Sequence, residues 1–326
     1  MSASPATRPG VGIAFILVGM FAISINDMLI KQLSGGYPLH QTVFLRSSIG
    51  IMLSMVFLYF EGGVSLLKTR HPTLHIIRCL MVVASNMSFF VALATLPLAD
   101  VTALFFAAPL FITVLSIPVL GEKVGVMRLS AVVVGFAGVI LMQRPWEGSD
   151  SATADRIVLL LPVLAALTYA INQVMTRKLG ATTKASALAV YIQGMFIIVS
   201  VGFFVFAGDG RYAEGLENAS WVFLLRAWVW PETQDWYLFI GLGLNSGIVG
   251  YCLAQAYRMA DAATVAPFEY IGLPLAVFWG WLFWSEFPAP AVWVGMAMIM
   301  GSGLFVFLRE KQKARRVARA EIKGRY

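Results

Sequence analysis

The sequence predicts an all-α integral membrane protein with ten transmembrane helices in two inverted five-helix repeats. Composition is the first observation behind this: of 326 residues, 59% are hydrophobic and 13% charged. Soluble domains run at roughly 45–50% apolar and 25% charged, and with a mean hydropathy of +0.78 a soluble fold could not cover its apolar surface. The second observation is a series of apolar runs near the length of about 20 residues that crosses a bilayer. The third is a set of polar anchors in the first half that returns, in order, in the second.

Taken in order, the helices are expected at 11–33, 39–60, 75–97, 101–120, 125–143, 157–177, 185–207, 236–257, 262–284 and 290–308. Little chain remains for a soluble catalytic module, a nucleic-acid binder or a disulfide-built domain. The first run carries Asn26 and Asp27 and has no small-residue cleavage site, so it is read as a retained helix rather than a signal peptide. Cys79 and Cys252 fall inside apolar runs without metal-ligand spacing and read as buried thiols.

Lys and Arg placement sets the orientation. With the N-terminus inside, only Lys31, Arg144, Arg156, Arg211 and Arg226 lie outside, Arg46 lies within a span, and all other basic residues are cytoplasmic. Both termini are therefore expected in the cytoplasm of a bacterial-type inner membrane. The net charge of +7 does not signal nucleic acid, because it concentrates in the tail 309–326, read as a basic anchor near anionic lipid. The connection 208–235 then lies outside. Its Trp-rich stretch from Ala219 to Trp230 is too short to span and is expected as an interfacial helix with tryptophans at headgroup depth; a substrate lid is the other reading.

The two repeats, 11–143 and 157–308, are read from paired segments. Ile25-Asn26-Asp27 through Lys31-Gln32-Leu33 matches Ile171-Asn172-Gln173 through Arg177-Lys178-Leu179 without a gap. Leu98-Ala99-Asp100 matches Met259-Ala260-Asp261, and Leu120-Gly121-Glu122 matches Trp284-Ser285-Glu286, with Pro109 and Pro274 between these anchors. Gly135 and Gly138 stand against Gly301 and Gly303. Five helices per copy make the second copy enter from the opposite side, an arrangement that supports two alternately open states around a midplane site. The pattern points to a transporter.

These residues resemble the EamA-type drug/metabolite transporter family across about 11–308. The resemblance rests on Phe44-Leu45-Arg46, Leu96-Pro97-Leu98-Ala99-Asp100, Pro109 with Leu120-Gly121-Glu122, Pro267-Phe268-Glu269-Tyr270, Gly280-Trp281-Leu282 and Ser285-Glu286. It implies movement of small organic metabolites without a bound cofactor, among them amino acids, S-adenosylmethionine, nucleotide-like compounds and riboflavin. Asn26-Asp27, Phe44-Leu45-Arg46 and Pro267-Phe268-Glu269-Tyr270 are similar to a bacterial branch that includes riboflavin importers. Riboflavin uptake is the specific expectation, and amino-acid or related metabolite export the alternative.

An ionisable group in a span costs roughly 2.5–3.5 kcal/mol on insertion scales, so it faces protein or a wet cavity. Glu269 is the sharpest case, as a substrate or proton acceptor, or as an interhelical lock neutralised by Arg46. Asn26 and Asn172 recur at equivalent positions. With Asn86, Gln173, Gln255, Tyr270 and Trp279 they make up the expected substrate-binding set, and Ser85, Tyr169, Gln193 and Asn245 are further cavity candidates. Asp27, Arg46, Pro109 and Pro274 are assigned to gating or charge pairing. Asp27 lies one turn from Lys31, an ion-pair spacing, and Arg46 could pair with Asp27 or Glu269, or hold an anionic group. The prolines are expected to free backbone groups inside helices. Asp100 and Asp261 are read as N-caps at the cytoplasmic side, and Glu122 and Glu286 as stabilisers of loops or gates.

No catalytic residues and no metal site are predicted. His71 and His75 have Pro72 between them and no HExxH pattern, and there is no P-loop or nucleophile elbow. The partners expected are a small-molecule substrate and the lipid bilayer, with Gly135 to Gly138 suiting either a homodimer interface or packing within one subunit. The competing classes are a membrane-embedded lipid-modifying enzyme and a scaffold or channel.

Overall fold

The computed structural model describes residues 9–69, 72–121, 125–143, 153–179, 183–259 and 268–323. All regular structure among them is helical, because in hydrocarbon a helix satisfies its own backbone. The helices are α1 (Pro9–Leu33), α2 (Leu39–Glu61), α3 (Pro72–Leu93), α4 (Leu98–Phe105), α5 (Ala108–Leu120), α6 (Val126–Gln143), α7 (Thr153–Leu179), α8 (Ala185–Ala207), α9 (Ala219–Leu225), α10 (Trp236–Met259), α11 (Gly272–Trp284) and α12 (Pro290–Lys323). Among the described residues seven segments are long and apolar enough to cross a membrane, with α4 and α5 forming one of them. Shorter apolar helices lie at Leu129–Met142, Gly272–Trp284 and Pro290–Phe305. Glu122, Asp261 and Pro267 lie outside the described residues.

The surface is apolar where a soluble protein would be polar: Phe60, Phe206, Val205 and Val133 are all largely exposed. Inside, α1 packs on α10, α3 on α7, α2 on both α8 and α10, α6 on α12, and α5 on α7. One core cluster joins Ile16 and Met20 to Leu110, Val139 and Ile299. Another joins Leu39 and Val43 to Phe90, Phe196 and Phe239.

Glycine lets α6 and α12 approach closely. A Cβ on Gly138 would come 3.0 Å from the Gly295 carbonyl oxygen, and one on Gly295 would come 2.9 Å from that of Gly138. Gly135 faces Leu110 and Ser302, so this stripe packs within the subunit. Gly138 faces Gly295, whereas a Cβ at Gly301 would meet nothing within 4 Å.

Helix four is broken rather than kinked. α4 ends at Phe105 and α5 starts at Ala108, placing Pro109 in the first turn of α5. There its missing N–H removes no intrahelical bond. The same holds for Pro274 in the first turn of α11, after a turn at Tyr270–Ile271. The expected mid-helix release of backbone groups is therefore replaced by breaks just upstream of each proline.

The basic tail is helical as far as Lys323, continuous with α12. The interfacial helix expected at 219–230 is only α9, capped by the Asn218 side chain, which accepts from the Ser220 N–H at 2.9 Å. Beyond it Trp228 turns inward, packing on His40, Phe44 and Phe204, while Trp230 remains 86% exposed. Gln41 clamps this strap with both ends of its amide, donating to the Val229 carbonyl and accepting its N–H. Arg226 donates to the Gly35 and Ser34 carbonyls, and burial pulls its pKa down. Tyr37 donates to Asp235 and accepts from the Glu232 N–H.

Candidate functional site

The two helix breaks meet. The rings of Phe106, at the first break, and Tyr270, at the second, lie 5.3 Å apart, and Phe105 lies 5.3 Å from Tyr169 of α7. Gly272 permits the approach, since a Cβ there would come 2.9 Å from Met20 Cε and 3.3 Å from Phe106. Glu269 is the half-buried helical residue immediately before the second break and acts electrostatically on the Tyr169 and Tyr270 hydroxyls. Gln173 donates to the Tyr169 hydroxyl at 2.6 Å, and Asn172, 8% exposed, lies beside it on α7. Glu269 is thus within electrostatic reach of Tyr169 of α7, which Gln173 joins by a hydrogen bond.

Other predicted site residues are committed to holding helices together. Gln255 donates to Glu61 at 3.2 Å and to the Tyr251 hydroxyl at 2.9 Å. Glu61 also accepts from Ser186 at 2.8 Å, so it knits α2, α8 and α10 at one end. Nothing in the apolar pattern around Glu61 marked it, because it closes its helix and looks like an ordinary solvated terminus. Trp279 donates to Ser24 at 3.1 Å, Asn245 to the Ala22 carbonyl at 2.6 Å, Gln193 to Ser246 at 2.8 Å and Ser85 to the Ala165 carbonyl at 2.8 Å. Tyr270 is wedged towards Gly303, where a Cβ would meet its hydroxyl. Asn86 donates only to its own helix, at Val82.

The charges pair differently from the helical spacing. Lys31 does not pair with Asp27. Its Nζ reaches both Glu286 oxygens at 2.7 and 2.8 Å and the Leu96 carbonyl at 3.0 Å, and lies 5.0 Å from the Trp284 ring. Glu286 Oε2 also accepts the Leu98 N–H at 3.2 Å, capping α4. Ser285, in the left-handed region at φ 55°, turns Glu286 back under the end of α11. Asp100 lies in the first turn of α4 rather than at its N-cap, which is Pro97. It also feels the charge of Lys31, which puts it at the end that basic-residue placement assigns outside, not at the cytoplasmic side.

Asn26 donates to Asp27 at 3.3 Å. Asp27 and Arg46 interact through their charges, and the Arg46 guanidinium lies over Phe196 and Phe90. Two cavities, of about 650 and 420 Å³, share Phe203 and Trp221 in their walls. The first lies against α8 and α9 and the second between α3, α8 and α9, and no residue of either helix break lines them. Among the described residues no group of His, Cys, Asp and Glu could hold a metal ion.

Polar groups gathered at interrupted helices are the arrangement that secondary transporters use for their binding sites. Residues 10–144 match the EamA-like transporter family. The chain is 27% identical to a riboflavin transporter of Rhizobium johnstonii, over 96% of each chain. It is 24% identical to an S-adenosylmethionine uptake transporter of Rickettsia prowazekii, over 92% of this chain and 94% of the relative. It is also 27% identical to a pseudopaline exporter of Pseudomonas aeruginosa, over 89% and 93%. A solved crystal structure shares the fold at a TM-score of 0.63 with 20% identity, covering 92% of this chain and 98% of the other.

Proposed function

We propose that the protein is an inner-membrane carrier that takes up riboflavin by alternating access between two inverted five-helix repeats. The observation that carries this reading is the meeting of two helix breaks at Phe106 and Tyr270, with Glu269 immediately before the second. Interrupted helices put unpaired backbone and polar side chains at the midplane, where a carrier needs them.

Packing supports the repeat. α1 lies on α10 as α7 lies on α3, and α11 lies on α1 as α5 lies on α7. α2 pairs with α8, and α6 with α12, across the same division. The family match ends at residue 144, next to the expected boundary of the first repeat.

In this reading Glu269, Tyr169, Gln173, Asn172 and Asn86 face the substrate from one side, and Asn26 and Asp27 from the other. Aromatic faces at Phe105 and Phe106 suit a planar ring system. The Lys31–Glu286 pair ties α1, α4 and α11 at the outer end and is the contact that outward opening breaks. Three riboflavin transporters at 27–29% identity favour riboflavin. The uptake and export relatives of other substrates keep amino-acid or related metabolite export as the second reading.

The test is labelled riboflavin uptake in a flavin-auxotrophic bacterium lacking its own importer, with intact protein and Glu269→Gln. Saturable uptake of unchanged riboflavin, lost in the variant at equal membrane expression, is expected. No uptake by the intact protein removes riboflavin and brings the export reading forward.

A further inference from the structure

Arg46 is a buried cation for which the fold provides no hydrogen-bond acceptor among the described residues. It sits about two turns into α2 and is 3% exposed. Its guanidinium lies 4.8 Å from the Phe196 ring centre and 5.5 Å from that of Phe90. Nε is enclosed without a partner. Asp27, the nearest carboxylate in charge terms, forms no ion pair with it and instead accepts from Asn26.

A structural lock would look different. Guanidinium stays protonated in proteins, and removing a charge from water is repaid only when hydrogen bonds satisfy its donors. Lys31 in this same chain illustrates a lock, with two carboxylate oxygens and a carbonyl around one ammonium. Arg46 has two aromatic rings close to its guanidinium and no hydrogen-bond acceptor among the described residues on its buried Nε. Such a group is desolvated, oriented and ready to donate.

We infer that Arg46 anchors the substrate, and that the group it takes is a planar pair of adjacent acceptors. Two chemistries match a guanidinium fork: the two oxygens of a carboxylate, or a carbonyl beside a ring nitrogen. Phe90 and Phe196 lie against the guanidinium, and Asp27 of α1, which accepts from Asn26, acts on it by charge. The inference rests on the transporter reading but not on riboflavin, whose ring edge presents the second type of acceptor pair.

The experiment uses the full-length protein in lipid nanodiscs, with melting temperature followed against riboflavin and, separately, L-tryptophan as a carboxylate probe. Wild type, Arg46→Lys, Arg46→Gln and the double variant Asp27→Asn with Arg46→Gln are compared. At least one probe is expected to stabilise the wild type saturably, and Arg46→Lys to weaken that probe about tenfold or more, the loss of one charge-assisted bond, while its ligand-free melting stays near wild type. Stabilisation by tryptophan alone, dependent on Arg46, removes riboflavin and keeps the anchor. Riboflavin binding unchanged in Arg46→Lys keeps riboflavin and overturns the anchor. Ligand-free melting that falls in both single variants and recovers in the double variant, with affinity unmoved, makes Arg46 a counterion of Asp27 and overturns it. A wild type that responds to neither probe overturns it as well.

Discussion

Replacing Glu286 with Gln tests the proposal that its pair with Lys31 holds the outer end shut. Lys31 is 8% exposed and the Glu286 side chain 27%, with both carboxylate oxygens on Nζ at 2.7 and 2.8 Å. Glutamine keeps the shape but offers one acceptor where two are used, so either Lys31 or the Leu98 N–H faces an amide donor. A hydrogen bond to a charged partner is worth about 1.5–3 kcal/mol against about 0.5–1.5 for a neutral one. Losing that difference, with a half-compensated lysine left behind, costs about 2 kcal/mol, or roughly a 30-fold shift toward the outward-open state. Spin labels on cysteines at Gly35 and Phe287 read this shift as a longer inter-label distance. A Cβ at Gly35 meets nothing within 4 Å, and Phe287 is 68% exposed. The swap of Lys31→Glu with Glu286→Lys is expected to return part of the short distance. Unchanged distances in Glu286→Gln, at unchanged melting temperature, would refute the assignment of this pair as the outer closure.

Three further outcomes are expected. Gly295→Ala drives a Cβ to 2.2 Å from Met142 Cγ and 2.9 Å from the Gly138 carbonyl oxygen, so it should cost about 1–3 kcal/mol of stability, visible as a lower melting temperature in detergent. Gln41→Ala removes both amide bonds to Val229 and should make the 208–235 strap more sensitive to protease added outside, with little effect on the helices. Burial and the Asp235 hydrogen bond hold the Tyr37 pKa above its usual 10. The stability it contributes is therefore complete below that value and lost as pH rises through the elevated one; protease sensitivity of the strap should climb above about pH 10, and Tyr37→Phe should remove that step.

Composition and polar punctuation were enough to read an all-helical membrane chain, because hydrocarbon leaves the backbone few alternatives. The recurrence of Asn26 with Asn172 and of Pro109 with Pro274 was equally legible, since ordered polar residues in apolar text have few causes. Glu269 stood out for the same reason. Partnership was not legible. Helical spacing offered Asp27 to Lys31, yet a dehydrated ammonium takes the carboxylate that best surrounds it, and Ser285 delivers Glu286 from the far end of the sequence. Gln255, Gln193, Asn245 and Trp279 looked like cavity residues because an amide or indole in a span reads alike whether it meets substrate or a neighbouring helix. Only packing assigned them to Glu61, Ser246, Ala22 and Ser24. The sequence by itself determined which residues must avoid lipid; the tertiary structure decided which of them satisfy one another and which, like Arg46 with its unpartnered Nε, are left without an acceptor among the described residues. Segregation from lipid is a property of each side chain, whereas hydrogen-bond satisfaction depends on which helices the fold brings within reach.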